Sequence, residues 1–137
     1  MNKIFSFLFN LTEENSEKLS AINSSDLNYE TIKSLARDRD YAVRKALGMS
    51  PHLSSPLITE LAKDKKWQVR HTVACNPNLA LELVSELARD KKWMVRSAVA
   101  EHRGLTLDLI ELLVKDRNPG VRAVIAIASQ YNWEITW

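Results

Sequence analysis

Hydrophobic positions in the chain return every 26 residues. Leu27, Leu53, Leu79 and Leu105 keep that step, as do Leu35, Leu61, Leu87 and Leu113, and Val43, Val69, Val95 and Val121. Two polar series share the register: Asp38, Asp64, Asp90 and Asp116, and Arg44, Arg70, Arg96 and Arg122. Five series without a slip divide the sequence into units 27–52, 53–78, 79–104 and 105–130. A fixed period of about 20–50 residues marks an array whose units bury their apolar faces on their neighbours.

Each unit reads as two helices. In the second unit Leu57, Ile58, Leu61 and Ala62 fall on one helical face. Ser54 or Ser55 is placed to cap that helix and Pro56 suits its first turn; Asn28 and Thr106 hold the matching cap position in the first and fourth units. Glu30, Glu82 and Asp108 sit where a negative charge meets the positive helix end. After the polar connection 63–66, a shorter helix runs from about Trp67 to Ala74 with Val69, Thr72 and Val73 inward. It stops before Asn76-Pro77, because the residue preceding proline avoids helical dihedrals. The first unit ends likewise at Ser50-Pro51, with Gly48 weakening its last turn. The expected fold is all-α: a right-handed α-solenoid of four helix-pair repeats between two caps. The N-terminal cap is 1–26, with Ile4, Phe5, Leu8, Phe9, Leu11, Leu19 and Ile22 as its apolar residues and 13–25 loosely ordered. The C-terminal cap is 131–137, where Tyr131, Trp133 and Trp137 form a lid.

The pattern L-A-[RK]-D-x-x-x-x-V-R, followed by A-x-N-P-N-L-type loops, resembles the leucine-rich repeat variant family. The stretches LAKDKKWQVRHTVACNPNL and LARDKKWMVRSAVAEHRGL carry the resemblance. The chain is also similar to HEAT repeats, which share the D-x-x-x-x-V-R core. About three quarters of the sequence is covered. The resemblance implies an α-solenoid of short helix pairs that serves as a partner-binding scaffold. It further implies that Asp38, Asp64, Asp90 and Asp116 pair with Arg44, Arg70, Arg96 and Arg122 between units. The cysteine-ligated iron–sulfur cluster found beside some members of the variant family has no counterpart in a chain whose one cysteine is Cys75. The fourth unit departs from the pattern with Ser129-Gln130-Tyr131 in place of Asn-Pro.

Composition narrows the picture. A chain of 137 residues with 45% hydrophobic residues supports one continuous core. Three glycines disfavour turn-rich β folds and glycine-rich phosphate loops. No apolar run approaches the roughly 18 residues of a membrane helix. The stretch Ile4–Phe9 is too short and wrongly flanked for a signal peptide, so no membrane partner and a reducing, cytoplasmic setting are expected.

Charge is distributed unevenly. The windows 36–45, 62–71, 88–97 and 114–123 hold fifteen Lys or Arg against five Asp, a net +10, although the whole chain carries only +2. Stacked units place these windows side by side, at about 8–10 Å per helix, and so build one basic edge. Arg39, Lys65, Lys66, Lys91, Lys92 and Arg117 are the surplus beyond the Asp–Arg series.

Position 41 and its equivalents read Tyr41, Trp67, Trp93 and Pro119. At 100° per residue Tyr41 points about 160° from Val43, away from the core. Lys45 lies near Tyr41 and His71 near Trp67 by i, i+4 spacing. The candidate partner-binding set is therefore Tyr41, Trp67, Trp93, Lys65, Lys66, Lys91, Lys92, Lys45 and His71: aromatic anchors flanked by cations. The competing reading packs the rings on the neighbouring unit or on lysine stems.

Catalytic chemistry finds no pattern. His52, His71 and His102 share neither a register nor metal-ligand spacing, and the equivalents of Cys75 are Met49, Glu101 and Ile127. The sequence reads as a non-enzymatic scaffold without cofactor or metal. Its expected partner is a protein with an acidic surface, as for an adaptor or an inhibitor of the immunity type that neutralises a bacterial toxin. The alternative is a module for single-stranded nucleic acid, neutralising phosphates with lysines and stacking bases on rings.

Overall fold

The computed structural model describes residues 13–24 and 27–132. All regular structure among the described residues is helical, with no strand. Helix α1 spans Glu13–Ile22 and is followed by four pairs: α2 (Tyr29–Ala36) with α3 (Tyr41–Leu47), α4 (Ser55–Ala62) with α5 (Trp67–Ala74), α6 (Leu81–Leu87) with α7 (Trp93–Ala100), and α8 (Leu107–Val114) with α9 (Pro119–Asn132). The helices α3, α5, α7 and α9 begin at residues 41, 67, 93 and 119, keeping the period of the sequence.

The caps follow local chemistry. Asn28 Oδ1 accepts from the Thr31 amide at 2.9 Å, and Asp40 Oδ1 from the Ala42 amide at 2.8 Å. Thr106 Oγ1 accepts from the Leu109 amide at 3.4 Å. These bonds fill donors that no helical carbonyl reaches. The expected serine cap of α4 is not made. Ser54 occupies the cap position, but its hydroxyl accepts no amide there and is buried without a partner. Pro56 pre-sets the first turn of this helix instead.

Two rows of helices result. α3, α5, α7 and α9 contact one another in sequence, α1 lies against α3, and α2, α4 and α6 make the second row. The two rows meet within each pair and also where one pair leads to the next, as α5 meets α6 and α7 meets α8. Between them runs one apolar cluster. Val43, Val69, Val95 and Val121 are fully buried, with Leu35, Leu61, Leu87 and Leu113 beside them. The four valines thus share one apolar cluster rather than lying in separate cores.

Gly48 ends α3 as expected and has a second role. It stands at the end of α3, where a Cβ would collide with the Thr72 hydroxyl and close to 3.2 Å from the Val73 amide. Its hydrogen lets α3 and α5 approach. The expectation of a loosely ordered 13–25 is overturned over Glu13–Ile22. Glu13–Ile22 is a helix, Ile22 is buried and Leu19 packs on the core. Contacts with the first unit, absent from any reading of local propensity, hold it there. Of the cap residues named above, Ile4, Phe5, Leu8, Phe9, Leu11, Trp133 and Trp137 lie outside the described residues, as does the Tyr131 side chain. No helix among the described residues is long and apolar enough to cross a membrane.

Candidate protein-binding edge

The edge is built on the loops that join the two helices of each pair. In every unit the loop aspartate bonds the backbone two residues on: Asp38 to the Asp40 amide, Asp64 to Lys66, Asp90 to Lys92 and Asp116 to Asn118, at 2.8–2.9 Å. The arginine six residues later reaches back to the carbonyl of the same aspartate, at 2.7 Å for Arg44, Arg70 and Arg96. The same guanidinium then forks onto the aspartate of the following unit. Arg44 Nε lies 2.7 Å from Asp64 Oδ2, Arg70 Nε 2.6 Å from Asp90 Oδ2, and Arg96 Nε 2.7 Å from Asp116 Oδ2. In each pair Nη2 meets the second carboxylate oxygen at 2.9–3.1 Å. One arginine therefore closes its own loop and joins it to the next.

These pairs are buried, with side chains between 6% and 9% exposed. Burial raises the Asp64 and Asp90 carboxyls. The arginine hydrogen bond, the loop amide and the arginine charge outweigh it and leave both below their usual value. For Asp116 the hydrogen bond from Arg96 is the leading cause of the same downward shift. The bidentate geometry satisfies both partners, which is what a desolvated ion pair requires.

The first rung had not been anticipated. Lys18 on α1 donates to Asp38 Oδ2 at 2.8 Å and to Glu14 at 2.7 Å, and its pKa is raised by those bonds. Lys18 stands 26 residues before Arg44. The signal was a cation in the ladder register, hidden because no aspartate precedes it at the matching distance. Asn15, buried on the same helix, bonds Asp40.

With Arg44, Arg70 and Arg96 committed to the ladder, the loop-tip cations Arg39, Lys65, Lys66, Lys91, Lys92 and Arg117 stand exposed. Arg37 is paired instead with Glu60 at 2.9 Å. An open groove between the first two loops is lined by Arg37, Arg39, Lys65, Glu60 and Asp64.

The rings divide. Tyr41 is 38% exposed and Trp93 is 43% exposed, while Trp67 is half-buried against the core. Lys66 Nζ lies 5.5 Å from the Tyr41 ring centroid, so a lysine of the second unit covers a ring of the first. Trp67 meets His71 edge-on, with centroids 6.3 Å apart. Trp93 reaches the fourth unit at Gly120, where an added Cβ would lie 3.3 Å from the indole Cζ3. Lys45 is exposed and His71 half-buried. Burial and then the Lys45 charge lower the His71 pKa, so its ring is neutral at physiological pH and contributes no cation. Among the described residues no cation–π contact joins Trp93 to Lys91 or Lys92.

No family model, curated protein or solved structure matches the chain. The edge is accordingly characterised by its own chemistry. Among the described residues, no group of three His, Cys, Asp or Glu side chains could hold a metal ion. Burial and the Glu101 charge raise the Cys75 thiol, which favours the unreactive protonated form.

Proposed function

We propose that the chain is a right-handed α-solenoid of four 26-residue helix-pair repeats, of the leucine-rich repeat variant or HEAT-like kind. We further propose that it is a non-enzymatic scaffold binding a protein with an acidic surface along its basic, aromatic-lined edge. The observation that carries this reading is the division of labour among the basic residues. Arg44, Arg70 and Arg96 are consumed by the ladder, whereas Lys65, Lys66, Lys91 and Lys92 stand exposed on the loops between. Exposed Tyr41 and Trp93 beside them supply apolar area that desolvates on contact. The lysines steer the partner and set the salt response.

Single-stranded nucleic acid is the less favoured ligand. Base stacking needs open ring faces, and Lys66 lies over Tyr41 while Trp93 rests against Gly120. Capture from the native host with the full chain, repeated with Tyr41→Ala combined with Trp93→Ala, tests the proposal. A protein retained by the wild type and lost by a variant that keeps its helical circular dichroism is the expected outcome. Retention by the variant, or capture of nucleic acid whose affinity falls log-linearly with salt, would refute it.

A further inference from the structure

The fourth unit differs from the others at one set of positions. Arg44, Arg70 and Arg96 are buried, and each holds the next aspartate with Nε and Nη2. Arg122 stands in the same register and is exposed. Its Nη1 is anchored 2.6 Å from the Asp116 carbonyl, as in the interior units. Its Nε and Nη2 meet no acceptor among the described residues. The apolar positions around it behave likewise. Ala36, Ala62 and Ala88 are buried, and Val114 in that register is 42% exposed. Ala74 and Ala100 are buried, and Ala126 is exposed. Side chains that interior units cover with their successors are open on α8 and α9. The opposite end has no such vacancy in its ladder, because Lys18 fills the Asp38 rung.

We propose that this end face of α8 and α9 is a docking surface for another protein, through a segment in which a loop aspartate shortly precedes a helix. The three interior junctions define that chemistry, and the end face continues the same interface. In each junction a carboxylate, held by the amide two residues on, meets the guanidinium fork, and small and branched apolar side chains follow it. The anchored Arg122 fork matches a planar carboxylate in two parallel bonds. The exposed Val114 and Ala126, whose counterparts are buried in interior units, supply apolar area on the same face, which favours a helix over a phosphate backbone. The proposal is independent of the basic edge: it concerns an end of the helix rows rather than their loops.

The test titrates the isotope-labelled full chain with millimolar synthetic peptide copying residues 86–101, which carries Asp90 ahead of a helix. The Nε–Hε resonance of Arg122 is followed by NMR. Low helicity of the free peptide weakens every peptide alike, so the ratio between peptides is the readout. A saturable shift of Arg122 and of α8 and α9 amides is expected. Binding should weaken about ten-fold for the Asp90→Asn peptide, and again for the Arg122→Gln chain. Equal binding by both peptides, no saturable shift, or shifts confined to Lys65, Lys66, Lys91 and Lys92 would overturn it. So would tighter binding after deletion of residues 133–137, which would make that segment the occupant. Sedimentation showing a dimer abolished by Arg122→Gln would assign the face to a second copy instead, and so overturn it too.

Discussion

Single residues in this chain carry two duties when they sit on the register. Arg70 closes its own loop through the Asp64 carbonyl and joins the next unit through Asp90. Removing it strands a buried carboxylate, so Arg70→Ala should lower stability by about 1–3 kcal/mol in urea denaturation. A midpoint equal to that of the wild type would mean the ladder contributes nothing. Val95 is fully buried, and Val95→Asp places an unpaired charge in the shared core. Loss of the helical circular dichroism signal is expected; a folded variant would place the core elsewhere. Gly48→Ala forces a methyl onto Thr72 and should cost about 1–3 kcal/mol. Thermal melting of the double variant with Thr72→Ala should recover part of that loss, and no recovery would locate the strain in the backbone instead.

At the scale of the elements, the loop aspartates hold the chemistry that responds to strong acid. Asp64, Asp90 and Asp116 have folded-state pKa values below their unfolded ones. Where folded pKa values are lowered, the unfolded chain binds more protons in acid, so stability rises with pH through that window. The contribution is fully present above the unfolded aspartate value of about 3.9 and is lost as pH falls through the lower folded values. Thermal melting should therefore decline slightly below about pH 6.5, where the lowered His71 pKa costs stability, and drop steeply below about pH 4. The absence of a steep drop below about pH 4 would contradict this account.

Much of this level was legible in the sequence. Asp38 to Asp116 and Val43 to Val121 share a period with the helix starts at residues 41, 67, 93 and 119, so one register gave helix type, core and rungs. Features decided across units were not legible. Ser54 looked like a cap, and its hydroxyl is buried without a partner. Residues 13–25 looked loose by propensity, and Lys18 and Asn15 tie the helix there to Asp38 and Asp40. Periodicity placed Tyr41, Trp67 and Trp93 alike, yet neighbouring side chains leave Trp67 half-buried and the other two exposed.

Across the whole molecule, charge is sorted by commitment. The near-neutral chain hides a basic edge, and the ladder removes Arg44, Arg70 and Arg96 from it while leaving the loop-tip lysines exposed. Binding along that edge should therefore depend on lysines whose removal leaves the fold intact. The measurement that bears most directly on this claim compares the wild type with a chain carrying Lys65→Glu, Lys66→Glu, Lys91→Glu and Lys92→Glu, against the protein captured from the host. Association rate and affinity are followed as salt is raised. The account predicts that the variant melts like the wild type, associates about ten-fold or more slowly at low salt, and inverts the salt dependence, because screening now relieves repulsion. An unchanged association rate in a folded variant would contradict it and leave the lysines as a solvated rim.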